Sequence, residues 1–388
     1  CPWDARALRE LACGRKDGGN RPAHGAWQAM TWARRAGVAL ILMGLMMLAA
    51  PTVEAGRCFR LAEGIGIVCD GRVAAEPEPF SPPVERSRSL LDRTIYAYLD
   101  DNVYIYPEPD ESAQPLYTLG EGFLYVTLNR EVESNGQRWY ELNAGEFVPA
   151  DSVRLVEVPA FRGVEVALQP ERPFGWLVQD VVPSHQPDGE PDHAYAELER
   201  FDFFQVYDAV VGEDNWIWYQ LENGGWIRQT YVSLIDVHPP PDDVAPGEFW
   251  VEVDLYEQTF AAYEGRRMVY AGLISSGLNR WPTHEGLFQV WSRYRENKMS
   301  GAEGKVDYYF IEDVPYIMYF DRLNEIALHG AYWHDRFGYK HSHGCVNMPP
   351  RDAEWIYYWS AQAPNDLWVW VHTSDPHSYF SRFSGKNG

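Results

Sequence analysis

Past residue 90 the apolar residues fall into short runs, most of them alternating with polar positions and separated by turn residues. Val251, Val253 and Leu255 alternate with Glu252 and Asp254, the period-two pattern of a strand with one buried face. A turn at Glu264-Gly265 leads into the apolar stretch Met268–Ile274, and Leu367-Trp-Val-Trp-Val371 reads as a closing strand. Helical spacing appears once, after Pro349-Pro350, where Ala353, Ile356, Tyr357 and Ser360 share one face. The pattern predicts a mainly β chain whose last domain, 248–373, is a β-sandwich or meander with one short helix.

The middle of the chain repeats itself. Trp139-Tyr140-Glu-Leu142-Asn-Ala-Gly145-Glu-Phe147-Val148 recurs as Trp218-Tyr219-Gln-Leu221-Glu-Asn-Gly224-Gly-Trp226-Ile227, at a constant offset of 79 that continues through Val153/Val232 and Leu155/Leu234. An aromatic strand, a Gly turn, a second aromatic strand and a closing Val-x-Leu strand describe a small barrel. The two copies are expected at 91–157 and 163–237, with one larger β-domain as the alternative. They resemble tandem bacterial SH3-like domains, a resemblance that implies an accessory role beside a cell-wall enzyme. Pro-rich stretches at 56–90 and 238–247 read as linkers, and 374–388 as a tail.

The N-terminal part has a different character. Arg34-Arg35, an apolar run from Ala36 to Ala50 and the small-residue site Val53-x-Ala55 read as a signal peptide over 30–55, cleaved after Ala55. Residues 1–29 are then an upstream extension. The apolar run is shorter than the roughly 20 residues a membrane helix needs, so no membrane span is expected after cleavage; an uncleaved anchor is the alternative. Export to a periplasm or cell wall would let Cys58 and Cys69 staple a small hairpin, leaving Cys345 as an odd thiol.

Charge narrows the partners. The 388 residues hold 33 Lys plus Arg against 56 Asp plus Glu, a net −23 that repels phosphate backbones and excludes a nucleic-acid binder. A composition of 46% hydrophobic and 15% aromatic residues excludes wholesale disorder.

The reactive side chains cluster between His329 and Asn347: His329-Gly330, His334, His341, then Ser342-His343-Gly344-Cys345-Val346-Asn347. A cysteine nucleophile needs a base within reach, and histidine can take the thiol proton and return it to a leaving amine. Backbone N–H groups beside Gly344 could hold the oxyanion of an acyl transfer, since glycine lets the main chain approach closely. A zinc site built from these histidines, His284 and the thiol is the competing reading. No H-E-x-x-H or C-x-x-C pair supports it, and no metal or organic cofactor is expected.

His329-Gly330 followed by Ser342-His343-Gly344-Cys345-Val346-Asn347 resembles the L,D-transpeptidases, the YkuD-type catalytic domain. The resemblance extends to Val253-Asp254-Leu255-x-x-Gln258, Gly272-Leu-Ile-Ser275-Ser276-Gly277, Pro282-Thr283-x-x-Gly286-x-Phe288 and Tyr316-Ile-Met318-Tyr319-Phe320. It departs at His284-Glu285, inserted in a loop that the family commonly writes Pro-Thr-Pro-x-Gly. The resemblance implies Cys345 as nucleophile, His329 as base and acid, and Ser342, His343 and Gly344 as polarising or oxyanion residues. It also implies Asn347 as a brace and Tyr316, Met318 and Gly330 near substrate, with plain core the alternative for Tyr316 and Met318. The implied substrate is a peptidoglycan tetrapeptide stem. Its terminal D-Ala leaves, and an amine then takes the acyl group to give a 3→3 cross-link. The alternatives are an L,D-carboxypeptidase with water as acceptor, and a wall-binding protein with weak catalysis. Carbapenems are expected to acylate Cys345.

Overall fold

The structure is a computed structural model that describes residues 58–60, 67–69, 89–301 and 307–374. Cys58–Arg60 and Ile67–Cys69 pair antiparallel with Cys58 opposite Cys69. The side chains there lie outside the described residues, and so does the expected bridge. The expected extension 1–29, the signal segment 30–55 and the tail past 374 also lie outside them.

Two sheets carry the C-terminal half, and both recruit strands from before residue 166. The strands are β1 (Ile95–Leu99), β2 (Phe123–Leu128), β3 (Val153–Val156), β4 (Val164–Glu165), β5 (Phe249–Asp254), β6 (Thr259–Glu264), β7 (Arg267–Leu273), β8 (Gly286–Gln289), β9 (Ser292–Gly301), β10 (Tyr309–Asp321), β11 (Ile326–Gly330), β12 (Val346–Met348) and β13 (Trp368–His372), with α1 (Pro350–Ser360) before β13. One sheet runs β4-β7-β6-β5-β13-β8; the other runs β3-β1-β2-β10-β11-β12, with β9 also paired to β10.

The spine of the second sheet is β10, thirteen residues long. Its opening residues pair in parallel with β2, Tyr309 opposite Phe123 and Ile311 opposite Tyr125. Its far end pairs antiparallel with β11, Met318 opposite Leu328. Between these stretches Asp313 and Tyr316 adopt positive φ, 45° and 57°. Thr127 Oγ1 donates to Asp313 Oδ2 at 2.6 Å, which fixes the first of these turns.

One apolar core lies between the sheets and under α1. It joins Val251, Val253, Ile317, Leu328, Val346 and Ile356 to Tyr96 and Tyr125 from the first repeat and to Leu90 just before it. The helix is buried almost all round. Ala353, Ile356 and Trp359 are fully enclosed, whereas Tyr357, expected on the apolar face, is only partly covered. The helix also buries Asp352 and Glu354, each against hydrogen-bond donors: Gly163 N–H and Tyr270 O–H for Asp352, and Tyr316 O–H for Glu354.

The 79-residue repeat is physical. Trp139 opposes Pro149 and Tyr140 opposes Val148; Trp218 opposes Arg228 and Tyr219 opposes Ile227. A short 3₁₀ turn follows in each copy, at Ala150–Ser152 and Gln229–Tyr231. Each copy has its own small core, around Leu99 and Val126 in one and Leu177 and Ile217 in the other.

Candidate active site

Cys345 directly precedes β12, and His329 is the fourth residue of β11, the strand paired with it in parallel. Leu328 lies opposite Val346 and His329 opposite Asn347. The loop between the strands is pinned to the segment after β7. Ser275 and Asn347 exchange backbone hydrogen bonds at 2.8 and 2.9 Å, and the N–H groups of His341 and Ser342 both donate to Ser276 C=O. Gln258 holds that segment in turn, its amide bonding Ser276 Oγ at 2.7 Å and accepting from Ser276 N–H at 2.8 Å. A Cβ on Gly277 would lie 2.1 Å from Trp281 O and 3.0 Å from Gly344 Cα, so only glycine fits there.

His329 is 2% exposed, and its Nδ1 lies 3.1 Å from the carbonyl of Gly330. A carbonyl only accepts, so Nδ1 carries the ring proton and Nε2 keeps a free lone pair. Burial drives its pKa down to about 4, leaving a neutral imidazole that can take a proton. Cys345 is partly exposed as a residue. Its sulfur lies 4.0 Å from Glu325 O, with Ala327 N–H directed at it. Burial pushes this thiol up to about 11. The resting site therefore pairs a protonated thiol with an uncharged base, and no cation has lowered the thiol pKa.

Ser342 and Gly344 shape the turn before the sulfur. Ser342 Oγ donates to Cys345 C=O and accepts from Gly344 N–H at 3.1 Å. This engages the Gly344 N–H, expected among the oxyanion donors. Gly344 has φ 123°, a left-handed conformation costly for a residue with a Cβ. Thr283 braces the turn from outside, donating to Gly344 C=O at 2.7 Å and accepting from Gly277 N–H at 2.9 Å. Its motif was visible in the sequence, but its bridging role was not.

His343 is exposed at the mouth. Its ring lies 3.9 Å from Trp281 and 5.3 Å from Tyr309, and Arg280 covers Trp281 at 3.9 Å. Burial raises the phenols of Tyr309 and Tyr319, and both also respond to charge on Cys345 and Glu325, which sets them beside the sulfur. The residues expected near substrate are placed differently. Tyr316 and Met318 are 0% exposed: Tyr316 O–H donates to Glu354 Oε1 at 2.6 Å, and Met318 packs under Ser360. Both are core, because β10 turns these side chains to α1, and Tyr309 and Tyr319 of the same strand stand nearer the thiol. Gly330 is buried and acts through its carbonyl; a Cβ there would meet Pro315 Cγ at 2.9 Å. Asn347 is 3% exposed, and its amide lies 2.8 Å from His334 Nε2. His334 and His341, whose sequence reading is loop surface or pocket edge, are half-buried and pack with ring centroids 4.4 Å apart, and burial lowers the pKa of both. His284 at the inserted loop meets Asp321 at 3.0 Å.

The family model of the YkuD L,D-transpeptidase catalytic domain matches residues 248–372. Residues 248–372 are a YkuD-type catalytic domain. The candidate L,D-transpeptidase YciB of Bacillus subtilis (strain 168) is 28% identical over 155 residues, covering 35% of this chain and 76% of that protein. Among solved structures, a cysteine-to-serine variant of Enterococcus faecium L,D-transpeptidase is 25% identical, covering 33% of this chain and 50% of that one, with a TM-score of 0.29. L,D-transpeptidase 3 of Mycobacterium tuberculosis is 17% identical over 45% of this chain and 73% of its own, with a TM-score of 0.30. This chain thus spans only half of the Enterococcus protein. All the strands that carry His329 and Cys345 fall inside the YkuD match, whereas β1 to β4 fall outside it.

Proposed function

We propose that the protein is an exported peptidoglycan L,D-transpeptidase in which Cys345 is the nucleophile. The observation that best supports this reading is the buried, neutral His329, its tautomer set by Gly330 C=O, one parallel strand away from a protonated Cys345. His329 Nε2 takes the thiol proton as sulfur attacks the carbonyl of the third stem residue. The tetrahedral oxyanion is held by main-chain N–H groups of His343 and Cys345, because Ser342 already engages that of Gly344. The intermediate collapses, His329 returns the proton to the nitrogen of terminal D-Ala, and a thioester remains on Cys345. A side-chain amine of a second stem then displaces the sulfur and forms the 3→3 cross-link. Water as acceptor makes the same site an L,D-carboxypeptidase.

Tyr309, Tyr319 and Trp281 offer aromatic surface at the mouth for the stem and its sugars. In this reading the repeats are SH3-like modules that engage the wall, and the segment 30–55 directs export. The test is mass spectrometry of the full chain incubated with disaccharide-tetrapeptide, beside Cys345→Ala. A cross-linked dimer lacking one D-Ala supports transpeptidation, and a tripeptide product supports hydrolysis. Neither product, with no carbapenem adduct on Cys345, would overturn the enzymatic reading.

A further inference from the structure

The two sheets leave a second cluster of metal-ligating side chains that the acyl-transfer chemistry does not use. Glu252 lies on β5, and His372 ends β13, which pairs with β5 in parallel so that Glu252 opposes Trp370 and Asp254 opposes His372. An offset of two residues keeps Glu252 and His372 on one face of the sheet. That face is opposite to Val251 and Val253 and is turned towards the second repeat, where Trp250 and Trp370 pack with Phe174 and Trp176. His238 reaches the same spot from the Pro-rich connection. Glu252 Oε1 is 2.7 Å from His238 Nδ1 and 2.7 Å from His372 Nε2, and one ligand atom from each residue falls within 4.8 Å of the other two.

We propose that His238, Glu252 and His372 form a zinc site that fastens the exit of the second repeat to the first and last strands of the catalytic domain. The donor set suits the ion: two imidazole nitrogens and one carboxylate are a recurrent zinc set, with a fourth position left to water. The surroundings are those of a held ligand set. Tyr263 O–H donates to Glu252 Oε2 at 3.0 Å, fixing the carboxylate and leaving Oε1 for the cluster. Trp370 stacks on the His372 ring at 4.1 Å and 15°, which fixes its plane. Glu252 is 5% exposed, while the two imidazoles keep 17% side-chain exposure, enough for an ion to enter. Tetrahedral bonds of about 2.0–2.1 Å place ligand atoms about 3.3 Å apart, so each nitrogen must withdraw from Oε1 by about half an ångström while the two nitrogens, now within 4.8 Å of each other, close to that spacing. His238 sits in a connection without regular structure and can make that movement. The net charge of −23 favours a cation.

This site is independent of the reading of Cys345, and the test is built to keep them apart. The full chain carrying Cys345→Ser, which removes the competing thiol, is stripped with a chelator and titrated with cobalt(II) and zinc(II). The expected result is one equivalent of cobalt with the intense visible absorption of a tetrahedral ion, displaced by zinc. Zinc should also raise the melting temperature. His238→Ala and His372→Ala should each weaken zinc binding at least about 100-fold. In the Cys345-containing background both variants should still acylate with a carbapenem, which shows that they fold. Absence of stoichiometric binding in Cys345→Ser, or binding unchanged by both histidine variants, would overturn the proposal.

Discussion

Following the acylation of Cys345 by a carbapenem across pH separates two ways of activating the thiol. With the thiol at about 11, only about one molecule in 10⁴ holds a thiolate at pH 7. An ordinary cysteine near 8.5 would show about 3%. Activation must then come from His329 as general base, and His329 is competent wherever it is unprotonated. Its pKa of about 4 puts that condition at every pH above about 5. Wild-type acylation is therefore expected to be flat from about pH 5 to about pH 10. It should fall tenfold per pH unit below 4, as the imidazole gains its proton. In His329→Ala only the thiolate reacts, so the rate should climb tenfold per pH unit up to about 11. The loss at pH 7 is expected at about 10²–10⁴ and should shrink as pH rises. Stopped-flow loss of β-lactam absorbance gives the rates, and intact mass confirms the adduct. A wild-type profile that rises with a midpoint between 6 and 9 would refute the neutral pair and point to a preformed thiolate.

Three further outcomes follow from the same geometry. Asp352 is wholly buried, and burial lifts its carboxyl to about 7, against donors at Gly163 and Tyr270. The folded chain holds this proton more tightly than the unfolded one, so the contribution is complete below about pH 4 and is lost as pH rises to 7. Between pH 5 and pH 8 the wild type should lose about 3 kcal/mol relative to Asp352→Asn in urea unfolding; a constant difference would refute this. Gly344→Ala should cost about 1–3 kcal/mol and slow acylation, because φ is 123° while the nearest atom to a new Cβ is 3.8 Å away. Normal melting and acylation would show that the left-handed turn is dispensable. Expressing 248–372 alone bares the β10 edge and the face of Tyr332, which stacks on Tyr96 at 3.8 Å. That fragment should aggregate or melt well below the full chain, and equal stability would show that the first repeat is an appendage.

The chemistry was more legible than the architecture. His329 and Cys345 stood out because a base and a thiol in one short segment are rare without a shared task. The partner that fixes His329 is a backbone carbonyl, which no side-chain pattern announces. Tyr316 and Met318 look the same in sequence whether they line a cleft or fill a core; only the positive φ at Tyr316 and the position of α1 settle it. The repeat was readable because Trp139 and Trp218 occupy equivalent buried positions in equivalent strands. The parallel pairing of Phe123–Tyr125 with Tyr309–Ile311 was not, since the partners are 186 residues apart and nothing local encodes the contact. Its one trace is the run Phe-Leu-Tyr-Val-Thr-Leu over β2, too apolar for a strand with a solvent face. His238, Glu252 and His372 are scattered along the chain and become neighbours only when the last strand returns beside the first.

The two copies of the repeat are therefore put to different uses. The second lends only β4, its first two-residue strand, to the edge of the catalytic sheet, keeps its other strands in sheets of its own, and leans on the catalytic domain through an aromatic layer, Phe174 and Trp176 against Trp250. The first has surrendered its outer strand: β2 is hydrogen-bonded into β10 and places Tyr125 under the active-site loop, with its O–H donating to Trp333 C=O at 3.3 Å. Trp333 in turn lies 5.7 Å from the ring of His329. A module tied in by a backbone ladder cannot swing as a tether does, because each rotation would break hydrogen bonds and bare a sheet edge. The first repeat is thereby held in one fixed orientation to Cys345. Tyr125 and Trp333 thus link the first repeat to His329 by contact, and Tyr125→Phe, which removes the bond to Trp333 C=O, is expected to slow carbapenem acylation of Cys345; an unchanged rate would show that this contact does not position the base.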